Sequence, residues 1–230
     1  MVVNHAHCFL GDSLTKLWRS IQPQINGVPD VFTAYFGNYS AAILGVGEDQ
    51  ASNLLWRMQH GEVFVRHPPK VAILLIGTND LGAGGSCSRG EPGATAAASG
   101  TAVRIQEVVS YLQGLNPDTH IILMGLLPWG LVKQAGVYDW PNLYTEGISI
   151  VNSAIEDFSV GQRTVHYFDC GHVLYPDGQI LESVSPDGLH PNSMGMGRLA
   201  QCISPLVYQF AGLPATVYAT AKSRLTAGRH

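Results

Sequence analysis

Apolar residues in this chain fall into short consecutive runs, separated by longer stretches with helical spacing. His7-Cys8-Phe9-Leu10, Ala41-Ala42-Ile43-Leu44, Val71 to Ile76, Ile121-Ile122-Leu123-Met124 and Val165-His166-Tyr167-Phe168 read as five strands. The third run is apolar at consecutive positions, as a strand buried on both faces requires. Helices are expected over Thr15 to Ile21, Asp49 to Met58, Ile148 to Phe158 and Met194 to Phe210. Ala102, Ile105, Val108, Val109, Leu112 and Leu115 form the apolar stripe of another, longer helix. Gly82 to Gly93 is rich in Gly and Ser and reads as a mobile loop. A second loop, with Pro128, Trp129, Tyr138, Trp140 and Pro141, follows the fourth strand. Strands alternating with helices at this rhythm predict an α/β fold in three αβα layers, with a parallel sheet in the middle. Right-handed crossovers leave few topologies, and functional groups belong at the carboxyl ends of the strands.

The composition narrows the function. The 230 residues suit one domain spanning 1–230, with a core over about 6–212 and a C-terminal extension over 213–230. Apolar residues make up 46% and charged residues 13%, with a net charge of −4. That balance argues against disorder, a nucleic-acid partner and attraction to anionic lipid. No apolar stretch reaches transmembrane length, and no signal peptide is visible, which favours a cytoplasmic location; a chain trimmed at residue 1 would look the same, so secretion stays open. Cys8, Cys87, Cys170 and Cys202 form no C-x-x-C and read by default as buried or free thiols, with a disulfide left open because spacing alone does not reveal pairing. Asn38-Tyr39-Ser40 is a formal glycosylation sequon of a kind common by chance.

Four segments with chemical potential stand at predicted strand ends. They are Gly11-Asp12-Ser13-Leu14, Gly45-Val46-Gly47-Glu48-Asp49, Gly77-Thr78-Asn79-Asp80 and Asp187-Gly188-Leu189-His190. A serine in the first turn of a helix is surrounded by N–H groups without intrahelical partners, which favour negative charge. That environment suits a nucleophile that leaves an oxyanion behind, although serine is also an ordinary N-cap. His190 is the candidate base for Ser13, and Asp187 would hold its imidazole. The Asn79 amide, the Ser13 N–H and an N–H of the second-strand loop would form the oxyanion hole. Taken singly, each piece has an ordinary reading as a surface histidine or a turn. Their joint order at successive strand ends is what points to catalysis.

These four blocks resemble those of the SGNH (GDSL-type) hydrolases, over roughly Phe9 to Phe210. Gly45 to Asp49 with Leu55-Trp56-Arg57-Met58, and Gly125-Leu126-Leu127-Pro128, are similar to segments of the platelet-activating-factor acetylhydrolase catalytic subunits. The resemblance implies a flavodoxin-like sheet of five parallel strands, in an order of about 2-1-3-4-5. It also implies a serine esterase for short acyl esters such as acetyl, needing no cofactor and no metal. By motif position Ser13 is the nucleophile, Asp187 and His190 complete the triad, and Asn79 is an oxyanion donor. A homodimer is a further expectation from the resemblance. One departure stands out. The family has a glycine before the Asp of the second block, and its N–H serves the oxyanion hole. Here Glu48 holds that position, with Gly47 beside it. This motivates an alternative: an SGNH-fold binding or scaffold subunit with a weak site.

Other patterns carry less. Gly195 to Ala200 matches a dinucleotide fingerprint only as a string, and small residues there suit close helix packing. His5 with His7, and His166 with Asp169 and His172, raise a metal-phosphoesterase reading that lacks a full ligand cluster. Gly-x-Ser-x-Gly is absent. Trp129, Tyr138 and Trp140 either line an acyl or leaving-group pocket or cover the edge of the core.

Overall fold

The computed structural model describes residues 7–20, 29–37, 40–62, 67–87 and 91–213, apart from the side chains of 86, 87, 91, 92 and 177. In chain order the first elements are β1 (His7–Gly11), α1 (Ser13–Lys16), α2 (Pro29–Phe36), β2 (Ala41–Gly45), α3 (Ala51–Gln59) and β3 (Val71–Leu75). Then come α4 (Thr78–Cys87), α5 (Glu91–Leu115), β4 (His120–Met124), β5 (Lys133–Gln134) and β6 (Val137–Tyr138). The described chain closes with α6 (Thr145–Ser159), β7 (Val165–Phe168), β8 (Ile180–Leu181) and α7 (Ser193–Ala211).

Five strands form one parallel sheet in the order β2-β1-β3-β4-β7. Counted along the chain within that sheet, the order is the expected 2-1-3-4-5. Successive side chains on a strand point to opposite faces. Phe9, Ile73, Ile122 and Met124 therefore pack with Phe32 and Phe36 of α2 and Leu199 and Ile203 of α7. Leu10, Leu74, Ile121 and Leu123 pack with Leu54 of α3, Ile105 and Val109 of α5, and Val151 and Ile155 of α6. Both faces are covered, so the strands are apolar at consecutive positions. Each fully buried aliphatic side chain contributes about 1.5–3 kcal/mol. Because β1 lies between β2 and β3, the chain reverses direction across the sheet at that point. The reversal opens a crevice at the carboxyl ends of β1 and β3.

Five expectations change. Gly82 to Cys87 is helical, forming most of α4, rather than part of a loop. Close packing overrides the poor helix propensity of glycine here. A Cβ added at Gly84 would lie 2.4 Å from the Ala97 methyl, and one at Gly85 would lie 2.9 Å from the Tyr144 hydroxyl. The loop after β4 contains β5 and β6, which join β8 in a small antiparallel sheet. Helix α2 has no counterpart among the expected elements. Cys170 and Cys202 are not thiols but a disulfide, because the turn after β7 and helix α7 lie side by side. Cys8 is free and buried, and burial pushes its thiol up to about 12. The expected helix from Thr15 begins at Ser13 and tightens into a 3-10 turn over Leu17–Arg19. His5, Ile21, Asn38, Tyr39 and 214–230 lie outside the described residues.

Candidate active site

The site starts where β1 ends. A Cβ added at Gly11 would come within 2.0 Å of the Leu75 carbonyl oxygen, so only glycine lets β1 turn this close to β3. The next residue, Asp12, is the N-cap of α1, and its Oδ1 accepts the Leu14 N–H at 2.9 Å. Ser13 is therefore the first helical residue rather than the cap, which frees its hydroxyl for another partner. That partner is His190, whose Nε2 lies 2.8 Å from the Ser13 Oγ.

The loop before α7 shapes the other half. Gly188 has φ +81°, and a Cβ there would lie 2.4 Å from the Gly130 carbonyl oxygen. This turn folds Asp187 back onto its own loop. Its Oδ1 accepts the N–H groups of Leu189 at 3.0 Å and His190 at 2.7 Å, and its Oδ2 lies 2.7 Å from His190 Nδ1. Partial burial raises the Asp187 pKa. The bonds from the His190 ring, the His190 N–H and the Leu189 N–H outweigh burial and hold the carboxyl at about 2. An ionised carboxylate only accepts, so the proton between the two side chains sits on Nδ1. Nε2 then presents a lone pair, and the Ser13 hydroxyl donates to it.

Asp12, directly before the serine, is fully buried, and its Oδ2 has no hydrogen-bond partner among the described residues. Burial raises its pKa to about 7 and nearby Asp49 adds to the rise, while the Leu14 N–H and His190 oppose it.

The turn after β2 brings the second block alongside. Val46 N–H donates to the Gly11 carbonyl at 3.2 Å, tying this turn to the serine turn. Glu48 is exposed and has φ +66°, a left-handed conformation that costs a non-glycine residue on the order of 1 kcal/mol. That backbone conformation is what a glycine at this position would adopt freely. Gly47 is half-buried and is not among the positive-φ residues. Asn79, half-buried at the start of α4, donates one amide N–H to the Asp49 carbonyl at 2.9 Å, and its second amide N–H remains for another acceptor.

The loop aromatics serve as supports. Trp129 stacks on Tyr144 with centroids 4.1 Å apart, and Trp129 and Trp140 pack against the core on the α5–α6 side. Tyr138 is buried and its hydroxyl donates to the Pro186 carbonyl at 2.6 Å. The Gly195 expectation of close packing holds, since a Cβ there would lie 2.6 Å from the Pro191 Cβ. His166 pairs with His120, their ring nitrogens 2.9 Å apart, while Asp169 caps its own turn through the Gly171 N–H. Among the described residues, no group of three or more His, Cys, Asp or Glu is placed to hold a metal. None of their helices is long and apolar enough to cross a membrane.

Two groups near the site went unread in the sequence. One is the buried Asp12 cap. The other is an ionic cluster of Arg57, Asp49 and Glu62, with Asp80 and Arg104 beside it. Arg57 lies within Leu55-Trp56-Arg57-Met58, so the signal was present, but its role depends on partners distant in the chain.

The model of the GDSL-like lipase/acylhydrolase family matches residues 9–198. The chain belongs to this family. GDSL-like acylhydrolases hydrolyse esters. The platelet-activating factor acetylhydrolase IB subunit alpha1 of Rattus norvegicus is 24% identical over 201 residues, covering 86% of this chain and 73% of its own. An acetyl xylan esterase structure superposes with a TM-score of 0.63 at 18% identity, covering 87% of this chain and 98% of that one. A GDSL-like lipase from Bacteroides thetaiotaomicron superposes with a TM-score of 0.62 at 17% identity, covering 88% and 87%. The structural likenesses establish the shared fold of this GDSL-like chain, a flavodoxin-like sheet with helices on both sides.

Proposed function

We propose that this GDSL-like protein is a serine carboxylic-ester hydrolase acting on short acyl esters through an acyl-enzyme. The observation that carries the reading is the continuous line from Ser13 Oγ to His190 Nε2 at 2.8 Å and from His190 Nδ1 to Asp187 Oδ2 at 2.7 Å. In this reading Ser13 attacks the ester carbonyl while His190 takes its proton, and Asp187 stabilises the imidazolium that forms. The carbonyl oxygen becomes an oxyanion. The Ser13 N–H, the free amide N–H of Asn79 and the Glu48 N–H are its donors, with the Gly47 N–H as the alternative to Glu48. The left-handed backbone at Glu48 supports the choice of Glu48 over Gly47. Its side chain is exposed, so the carboxylate has room to stay clear of the oxyanion. His190 then protonates the departing alcohol, and water cleaves the acyl-enzyme by the same route.

The relatives' names, an acetylhydrolase subunit and an acetyl xylan esterase, support acetyl as the acyl group. A panel of p-nitrophenyl esters of rising chain length tests this reading. The expected result is highest kcat/KM on acetate and a loss of about 10⁴-fold or more in Ser13→Ala. Equal rates above background for the wild-type protein and Ser13→Ala contradict the reading. A fall to background in both supports the scaffold alternative that Glu48 raised.

A further inference from the structure

Arg57 projects from α3 toward the carboxyl ends of β1 and β2 and is only 15% exposed. Its Nε and Nη2 both reach Asp49 Oδ2, at 2.8 and 2.7 Å. The same Nη2 lies 3.4 Å from the carbonyl oxygens of Gly11 and Leu44, and Nη1 pairs with Glu62. One guanidinium therefore joins the strand end before Ser13, the strand end before Glu48, and the carboxylate of the residue after Glu48. From the other side, the Asp49 carbonyl receives the Asn79 amide, and the N–H of Ala51 is received by Asp80, itself held by Arg104 at 2.6 Å.

We propose that Arg57 is a positioning residue for the oxyanion hole: by clamping Asp49 it holds the Glu48 N–H and the Asn79 amide in register with Ser13. The inference rests on the serine-esterase reading above. Glu48 stands in a backbone conformation that a non-glycine residue leaves when its surroundings allow it. Asp49 is where the surroundings prevent this, since its carboxylate is 11% exposed and bound by Arg57 while its carbonyl is bound by Asn79. Releasing the carboxylate frees the backbone dihedrals of Glu48 and Asp49, so that the flanking Gly47–Glu48 and Asp49–Gln50 peptides reorient. The first turns the Glu48 N–H away, and the second moves the Asp49 carbonyl that orients Asn79. Two donors lose alignment through one lost contact. The planar fork of arginine matters here, because a single lysine ammonium cannot reach Asp49 through two nitrogens and two strand carbonyls as well. Arg57 touches no reacting atom in this scheme. Its charge is matched by Asp49 and Glu62, so its contribution is geometric.

The test compares wild type, Arg57→Met, Arg57→Lys and Ser13→Ala on p-nitrophenyl acetate, with an alkyl boronic acid as the tetrahedral-adduct probe. For Arg57→Met the expected result is a fall in kcat of about 10²-fold or more with KM changed less than about threefold. The boronate inhibition constant rises in parallel, and Arg57→Lys lies between Met and wild type. A folded Arg57→Met with wild-type kcat and wild-type boronate affinity overturns the inference, as does a rise in KM alone. If Arg57→Met does not fold, Asp49→Ala removes both acceptor oxygens of the same clamp, leaves the Asp49 carbonyl in place and carries the same expectations. Wild-type and Ser13→Ala proteins equally active on the ester remove the esterase reading and this inference together. Loss in Ser13→Ala without loss in Arg57→Met removes this inference alone.

Discussion

The hydroxyl of Tyr138 donates to the carbonyl of Pro186 at 2.6 Å, joining the small antiparallel sheet to the residue just before Asp187. The Gly130 N–H reinforces this link by donating to the Gly188 carbonyl at 2.9 Å. The loop that carries Asp187 and His190 is thus braced against β6 and the segment after β4. Tyr138→Phe leaves the Pro186 carbonyl without that donor and costs about 1–2 kcal/mol. Thermal melting should show the loss, and kcat on p-nitrophenyl acetate should fall with KM little changed. Unchanged melting and unchanged kcat would show that the brace contributes nothing.

Asp12 makes stability depend on pH in an unusual direction. Its carboxyl titrates near 3.8 when unperturbed and at about 7 in the fold, chiefly through burial. Between those values the folded state holds a proton that the unfolded chain has released, so stability falls as pH rises from about 4 to about 7. Asp187 acts in the opposite sense. Its carboxyl is lowered to about 2, so its contribution is present above about 4 and is lost as pH falls through 2. Asp12→Asn keeps the acceptor that caps Leu14 and removes the buried charge. Denaturant titrations should find it more stable than wild type by roughly 2–4 kcal/mol at pH 8, with the difference closing near pH 4. A constant difference across that range would place the Asp12 ionisation elsewhere.

The Cys170–Cys202 disulfide ties the turn after β7 to α7, across a sequence separation of 32. Loop-closure entropy for that span gives about 3–4 kcal/mol. Reduction, or Cys202→Ser, should therefore lower the melting temperature by roughly 10 °C for a chain of this size. Equal melting with and without reductant would contradict the bond.

The sheet was legible in the sequence because burial on both faces leaves a mark on consecutive positions, as in Val71–Leu75. The meeting of Ser13, Asp187 and His190 was legible because each follows a strand, where this topology gathers side chains. Helix α4 was not legible, since Gly84 and Gly85 read locally as loop and become helical only against Ala97 and Tyr144. The strands β5, β6 and β8 are two residues each, too short to carry a period. The disulfide depends on a side-by-side placement of two distant segments, which cysteine spacing does not encode. Asp12 read as part of a motif, and its burial, cap and raised pKa emerged only once Ser13 and Asp49 were in place. The Arg57 clamp was hidden for the same reason, since Gly11, Leu44, Asp49 and Glu62 meet only in the fold.

The central claim is that the Ser13 oxygen is a nucleophile activated by His190, and covalent trapping tests it most directly. Wild-type protein is treated with a fluorophosphonate, digested and analysed by mass spectrometry, alongside Ser13→Ala and His190→Ala. The account predicts one phosphonyl adduct on the peptide containing Ser13, absent in Ser13→Ala and formed far more slowly in His190→Ala. No adduct on the wild-type protein, or an adduct on a different residue, would contradict it.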